Sequence, residues 1–587
     1  MTPPDLLRRV ARRARRQLRA VYRRASRSAA AGSVPSRGSA RNDTVARLGD
    51  ALWAGLAAHA RPELVALAND PSGGPAVRSA AAHELAVWHL QRGELALADE
   101  WYGRLDPAVV EHAVVAACID GGLGRHDAAR VRLTDWATRR PGDPHLRLHL
   151  ANQFAAAPDA HEHRIAQFNA VLTAGGAMPI SSWGDGTLQL TCAPPGSPPA
   201  AGSSAGSGSG ALVSVIVPAF DAAATIALAL ASVQAQTHRD LQIIVVDDAS
   251  TDGTVEVVRR LATGDERIEL VRADRNRGAY ACRNMALERA RGRFVTVHDA
   301  DDWVHPERIA RQVADLERHP GAPANATYWV RVDRDLVFRP ADRHPYKLVG
   351  KSTASLMVRR ELFGVIGRWD EMARGAADFE LLKRLEARFG PVRHLDRHLP
   401  LAVSLRAPGS LTGDSATGIA SLWHLNGARR QYLEAFTAWH RSDGFPGELP
   451  FDPWAPSRPF AVPRLLMSAP PSAAGRTGSQ AAAAGTVDLV LAADLTVGAA
   501  SIEQVVRNAR AAALVGRTVA LLHEPASIEA LDRQLDPAVR QLLADATARL
   551  VSSGETVRCR SLERLGQGVP GGRVDPAPDV VADRDHP

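Results

Sequence analysis

The stretch of sequence that determines the fold reads VSVIVP at 213–218, VVDDASTDGT at 245–254 and VHDADDW at 297–303. Each part begins as an apolar run of strand length and leads into turn or acidic residues. Around them, strands are expected near 213–217, 242–246, 268–272 and 293–298, and helices near 223–235, 254–262, 279–290 and 306–318. This alternation predicts an α/β fold with a mostly parallel, doubly wound sheet that presents side chains to a ligand at the carboxyl ends of its strands.

Polar and turn-forming residues follow these strand ends and are the candidates for ligand contact. A carboxylate there can accept hydrogen bonds from ligand N–H and O–H groups, and Gly278 permits positive φ or a close backbone approach. Asp252 precedes a helix and is expected to cap it. The candidate binding residues at these strand ends are Pro218, Phe220, Asp221, Asp247, Asp248, Asn276, Gly278, Asp299 and Asp301.

The acidic cluster HDADDW at 298–303 is the strongest single motif. Three carboxylates within four residues, Asp299, Asp301 and Asp302, repel one another unless they are solvated or neutralised. Mn²⁺ and Mg²⁺ prefer oxygen ligands and often bind through one or two carboxylates together with substrate phosphates. The cluster therefore predicts a Mn²⁺ or Mg²⁺ site, the alternative being a solvated acidic loop. Asp301 and Asp302 are the expected ligands, but spacing alone does not decide which pair of the three carboxylates binds the metal.

Taken together, residues 213–413 resemble a family 2 glycosyltransferase of the GT-A fold, in which a sugar moves from a nucleoside diphosphate to an acceptor with inversion. The resemblance implies that Asp248 approaches the nucleotide base and that Arg283 and Asn284 line the nucleotide pocket. It also implies that the acidic cluster is the DxD element, with Asp302 on the metal. Either Asp301 or Asp299 would then contact ribose or a metal-bound water.

The segment GAADFE at 375–380 matches the position of the family's general base. The resemblance implies that Asp378 takes the proton of the acceptor hydroxyl, as an inverting transfer requires. Glu380 lies two residues further on and points elsewhere if this segment is helical, so it is expected to have a supporting role.

The chain departs from the family pattern at three places. Asp221 stands where an asparagine is usual, and the run LRAPGSLT at 405–412 lacks the histidine often found there, which leaves Arg406 as a candidate for stabilising diphosphate charge. The processive-synthase element QxxRW is absent, so single sugar additions are expected rather than polymer extrusion.

Composition limits the remaining alternatives. The net charge is +7, but the first 40 residues contain eleven Arg and one Asp, so the rest is slightly acidic and a nucleic-acid partner is not expected. The four cysteines lie far apart, without zinc-binding or disulfide spacing, which favours a reducing, cytoplasmic compartment. No apolar run reaches the roughly 18 residues of a membrane-spanning helix.

The flanking regions suggest a multidomain chain. Residues 1–42 form a basic arm, either solvated or, over 1–27, a helix on an anionic membrane surface at the inner face of the membrane. The predicted regions after the arm are an α-helical domain at 43–192, a flexible linker at 193–210, a GT-A domain at 211–415, an extension and linker at 416–485, a partial Rossmann-like segment at 486–562 and a disordered tail at 563–587.

A repeat of 31 residues relates Gly93 to Gly124 and loosely resembles tetratricopeptide-type repeats at 80–155. The change of character after Cys559 suggests that the chain ends prematurely.

The sequence thus predicts a metal-dependent, inverting glycosyltransferase with a nucleotide-sugar donor, expected to be a UDP-sugar by family tendency. The acceptor would be a lipid-linked glycan, a cell-envelope polysaccharide or a protein. One alternative is a sugar-phosphate nucleotidyltransferase, although the loop at 219–225 is neither glycine-rich nor basic. The other is a catalytically inactive scaffold.

Overall fold

A computed structural model describes most of the chain, with gaps between the described parts. The described residues are 37–154, 159–181, 210–340, 343–406, 412–414, 416–442, 445–448, 458–468, 485–531, 533–566, 574–575 and 578–586. The predictions for the arm at 1–42 and the linker at 193–210 fall outside them, apart from the backbone of 37–42 and residue 210. Among the described helices, none is both long and apolar enough to cross a bilayer.

The described part of the N-terminal region is built from helices packed in sequence order. Gly93 and Gly124, which the repeat aligns, both adopt positive φ, 74° and 78°, between successive helices. The tetratricopeptide-type resemblance itself remains a prediction. The α-helices are Arg37–Trp53, Ala57–Asn69, Pro75–Gln91, Leu95–Glu100, Val110–Gly122, His126–Arg139, Pro144–Asn152 and Ala160–Ala174.

The central domain is built on a seven-stranded sheet with the order β11-β6-β10-β4-β1-β2-β3. Strands β4, β1, β2 and β3 are mutually parallel, and β10 runs antiparallel to β4 and β6. The strands are β1 Val213–Ala219, β2 Leu241–Asp247, β3 Ile268–Arg272, β4 Phe294–Val297, β6 Ala324–Ala326, β10 Met357–Arg359 and β11 Arg393–His394. Every residue of β1 and β2 is buried, because helices cover both faces of the sheet.

The helices of this domain follow the predicted alternation, and the predicted α/β fold class is confirmed. The four strands and four helices predicted for this domain differ from the observed elements by at most a few residues at their ends, where backbone hydrogen bonding changes gradually. The α-helices are Ile226–Gln234, Thr254–Gly264, Ala279–Leu287, Arg308–Arg318, Phe363–Ile366, Ala377–Phe389 and Ala428–His440.

A second, five-stranded sheet lies beside the first and has the order β5-β12-β7-β8, with β9 paired to β7. Its strands are β5 Asp302–Val304, β7 Tyr328–Val332, β8 Phe338–Arg339, β9 Val349–Lys351 and β12 Pro400–Leu405. Its register places Asp302 of β5 and Arg331 of β7 on either side of Ser404 in β12. Because cross-strand partners share a face of a sheet, this register brings Arg331 to the acidic cluster.

The C-terminal segment forms a third sheet of five strands in the order β15-β14-β13-β16-β17, with parallel pairing throughout. Its strands are β13 Gly485–Ala493, β14 Val519–His523, β15 Arg549–Leu550, β16 Thr556–Arg564 and β17 Asp579–His586, and its α-helices are Ile502–Leu514 and Pro537–Ala544. The predicted disordered tail at 563–587 is therefore wrong for β17. Its backbone completes a parallel ladder with β16, which outweighs the weak apolar periodicity of this stretch.

Candidate active site

Asp248 joins two of the predicted motifs. It is buried after the end of β2, and its two carboxylate oxygens accept hydrogen bonds from the backbone N–H groups of Arg277 and Gly278, both at 2.7 Å. Gly278 can take this position because it adopts φ of 89° and ψ of 159°, a region almost confined to glycine. Asp248 therefore fixes the turn that begins the next helix at the sheet edge. Asn276 of this turn is exposed.

We predict that Gly278→Ala destabilises this turn. A Cβ atom would meet only Ser468 Oγ at 3.9 Å, so the cost is backbone strain rather than a clash. Such strain costs about 1–3 kcal/mol. A lower melting temperature together with weaker nucleotide binding is the expected result in thermal unfolding and calorimetry. A melting temperature and an affinity equal to those of the unchanged protein would contradict it.

The loop that follows β1 is held by hydrogen bonds to the loop that follows β2. Asp221 adopts φ of 44° and accepts a hydrogen bond from Thr251 N at 2.7 Å, while its own N–H donates to Ser250 Oγ at 3.0 Å. Asp252 accepts from Thr254 N at 3.0 Å, but the N-cap position of this helix is Gly253, so the prediction that Asp252 caps it is wrong by one residue. Among the candidates of this edge, Pro218 is buried in β1 and Phe220 is 48% exposed, whereas Asp247 is buried with its Oδ1 lacking a partner among the described residues.

The helix Ala279–Leu287 connects the acidic cluster to the candidate base. The buried Arg283 donates to Asp299 at 2.9 Å, and Tyr280, one turn earlier, donates its hydroxyl to Asp378 at 2.9 Å. Asn284 is buried and donates to Trp369 O and Glu371 Oε1, both at 2.9 Å, so it holds the segment around residue 370 against this helix. That Asn284 lines the nucleotide pocket stays a prediction.

Two carboxylates of the acidic cluster have raised pKa values. Burial and the neighbouring Asp299 raise the pKa of Asp301 to about 6, and burial with Asp301 and Asp299 raises the pKa of Asp302 well above its usual range. Asp302 Oδ1 is buried and has no hydrogen-bond partner among the described residues. An orphaned carboxylate oxygen beside two like charges suits a divalent cation. The described residues contain no group of three or more His, Cys, Asp or Glu side chains arranged to hold a metal.

Two arginines that the sequence analysis missed surround this cluster. Arg331 lies across Ser404 from Asp302, and the nearby charges of Asp302 and Asp301 partly offset the lowering of its pKa by burial. Arg308 is fully buried, and burial lowers its pKa to about 10 against the opposing effect of Asp302. In the sequence, Arg331 is recognisable as a polar residue within the alternating run Tyr328–Val332. This alternation does not reveal which strand pairs with the run.

Asp378 lies in the first turn of the helix Ala377–Phe389 and accepts hydrogen bonds from Tyr280 and Thr353. Burial alone would raise its pKa, but Arg283 and these two hydrogen bonds hold the pKa below its ordinary value. Asp378 is therefore an ionised carboxylate at neutral pH. Glu380 points into the core, where it pairs with Arg384 and accepts from His440 at 3.0 Å.

Residues 214–369 match the family model described as Glycosyl transferase family 2. This segment is a family 2 glycosyltransferase domain. The putative teichuronic acid biosynthesis glycosyltransferase TuaG of Bacillus subtilis is 42% identical over 102 residues, which cover 17% of this chain and 40% of that protein. The UDP-Glc:alpha-D-GlcNAc-diphosphoundecaprenol beta-1,3-glucosyltransferase WfaP of Escherichia coli is 31% identical over 122 residues, which cover 21% and 48%.

This chain therefore spans less than half the length of either relative. A crystal structure of S. aureus TarS 1–349 in complex with UDP has 21% identity and a TM-score of 0.29, and the match covers 34% of this chain and 61% of that one. Asp248, Arg283 and the acidic cluster lie within the matched family 2 segment, whereas Asp378 lies beyond its last residue.

Proposed function

We propose that this protein is a glycosyltransferase that moves a sugar from a nucleoside diphosphate to a hydroxyl acceptor with inversion. The observation that carries the proposal is the helix Ala279–Leu287, whose residues Arg283 and Tyr280 contact Asp299 and Asp378. Positions three apart on a helix lie about 5–6 Å from each other. A carboxylate cluster suited to a diphosphate-bound cation and an ionised carboxylate suited to a base thus lie side by side.

In this mechanism Asp378 accepts the proton of the acceptor hydroxyl as that oxygen attacks the anomeric carbon. Arg283 and Arg331 lie beside the acidic cluster and offset negative charge that develops on the leaving diphosphate. Asp301 and Asp302 would hold Mn²⁺ or Mg²⁺, with Asp299 kept in place by Arg283. A bound cation supplies Lewis-acid stabilisation of the leaving group.

The names of the relatives support the finer proposals. WfaP is named for a UDP-glucose donor and a lipid-diphosphate acceptor, and TuaG for the biosynthesis of an envelope polysaccharide. We infer a UDP-sugar donor and a glycan or lipid-linked acceptor for this chain as well. The arginines of residues 1–27 would then attach the enzyme to the inner face of the membrane through anionic lipids.

Calorimetric titration of UDP, GDP and dTDP into the full chain, with and without Mn²⁺, tests the donor site. We expect one nucleotide to bind in a metal-dependent way and Asp302→Asn to weaken that binding at least about tenfold, or about 1.4 kcal/mol. Asp335→Asn, an exposed carboxylate in the turn after β7, is the matched control and should bind as the unchanged protein does. Absence of nucleotide binding in every condition would refute the proposed donor site.

A further inference from the structure

A large cavity opens in front of Asp378. Its volume is about 1160 Å³, and Asp378 and Thr353 form part of its wall. The rest of the wall includes the turn at 140–145 in the N-terminal helical region, strands β7 and β9, and the helix Ala377–Phe389. Residues from 346–347, 394–398 and 419–429 complete it. A base must contact the acceptor hydroxyl, and this cavity offers an acceptor a path to Asp378.

The helical region is attached firmly enough to form a permanent wall. Phe168 and Leu172 share an apolar core with Val330 of β7. Asn152 exchanges two hydrogen bonds of 2.8 Å with the backbone of Phe338, and His149 lies 3.1 Å from the carbonyl oxygen of Tyr346. The position of the turn at 140–145 relative to Asp378 is therefore fixed by packing and by hydrogen bonds.

The charge of the cavity is predominantly positive. Its carboxylates are Asp378, Asp143 and Glu386, of which Asp143 is bonded to Tyr346 and Glu386 pairs with Lys383 at 2.7 Å. Four further cations of the lining are exposed, and none has a carboxylate partner among the described residues: Arg140, Lys347, Lys351 and Arg397. They leave positive charge that a ligand of opposite sign would neutralise.

Aromatic rings interrupt this basic lining. Trp329 and Trp423 are half-buried, with Arg331 over the first ring at 4.9 Å and Arg343 over the second at 5.2 Å. Both tryptophans line the cavity together with Tyr328, Tyr346 and Phe379. Flat aromatic surfaces pack against the C–H faces of sugar rings while charged groups bind anionic substituents. Cations and aromatic rings together suit a sugar that carries a negative group, whereas a neutral glycan would leave the cations unused.

We propose that this cavity is the acceptor site, that the N-terminal helical region forms part of it, and that the acceptor is anionic, with a phosphate or carboxylate near the accepting sugar. The inference rests on the proposed transferase function. The anion can belong to a lipid diphosphate or to an acidic sugar of a polysaccharide. Both present the same chemistry to Lys351 and Arg397.

The test measures binding of labelled probes to the full chain by fluorescence anisotropy, at low and at high salt. The probes are a sugar linked to a short prenyl diphosphate, an oligogalacturonate and a neutral cello-oligosaccharide of equal length. We expect at least one anionic probe to bind about tenfold more tightly than the neutral one, and Lys351→Gln/Arg397→Gln to abolish that preference. Arg259→Gln/Arg260→Gln, an exposed pair on the helix Thr254–Gly264, should leave it unchanged.

The anionic probe that binds identifies the source of the charge. Equal affinity for neutral and anionic probes, or an unchanged preference in the Lys351→Gln/Arg397→Gln protein, would overturn the inference. Binding of UDP, GDP and dTDP, measured on the same samples, separates the two proposals. If one nucleotide binds and the anionic preference is missing, the acceptor inference fails alone, whereas absence of binding by all three nucleotides refutes the donor site whatever the cavity binds.

Discussion

Asp378→Asn is expected to lower the rate of sugar transfer by about 10²–10⁴-fold, the usual contribution of a general base. The amide keeps the size of the carboxylate and one acceptor oxygen for Tyr280 or Thr353, but it cannot take a proton from the acceptor hydroxyl. Nucleotide binding should be nearly unchanged, because Asp248 and the acidic cluster are untouched. Single-turnover transfer and calorimetry of UDP on the same protein measure the two effects separately.

Glu361→Gln is the control for this substitution, since it neutralises an exposed carboxylate of the same domain. Transfer by this variant should match that of the unchanged protein. Equal losses of transfer and of nucleotide binding in Asp378→Asn would remove Asp378 as the base. A protein that binds UDP but shows no transfer before any substitution would instead favour the inactive-scaffold alternative.

The central sheet could be predicted because its information is local. Val213–Ala219 and Leu241–Asp247 are apolar runs of strand length bounded by turn residues, and both are buried as such runs require. The carboxylates that follow them lie at one edge because the strands are parallel. The sequence therefore predicted the α/β fold and placed Asp248 and the acidic cluster in the correct part of it.

Contacts between distant segments could not be predicted in the same way. Arg331 reaches the acidic cluster only because β12 lies between β7 and β5, and periodicity does not reveal strand order. Likewise, Asn284 donates hydrogen bonds to Trp369 and Glu371 because these residues pack against its helix. The turn at 140–145 faces Asp378 across more than 200 residues of sequence, and no local pattern predicts such a contact.

A second large effect is expected at Arg384, this time on stability. Its guanidinium is fully buried, pairs with the fully buried Glu380, and donates to the carbonyl oxygens of Ile366 and Arg368. Arg384→Met fills much of the same space but leaves the Glu380 carboxylate without its main counter-charge. Breaking a buried pair in this way costs about 3–5 kcal/mol. Urea unfolding followed by tryptophan fluorescence should show a correspondingly lower midpoint for the domain.

Two further variants separate the ion pair from simple loss of packing. Arg384→Met/Glu380→Leu removes both charges and should recover much of the loss, since apolar replacement of a whole buried pair is often neutral. Lys383→Met, which removes the partly exposed Lys383–Glu386 pair from the same helix, should change stability by less than about 1 kcal/mol. A single variant as stable as the unchanged protein would show that the pair contributes nothing.

The pH dependence of unfolding provides an independent check on the same pair. Burial tends to raise the pKa of Glu380, but Arg384 and His440 lower it overall below the ordinary value of 4.5. A carboxylate whose pKa is lower in the folded state contributes stability above its unfolded pKa and loses that contribution as pH falls through its folded pKa. The free energy of unfolding of the unchanged protein minus that of Arg384→Met/Glu380→Leu should therefore decrease as pH falls below about 4.5. A difference independent of pH would mean that packing, not charge, determines the contribution of Glu380 to stability.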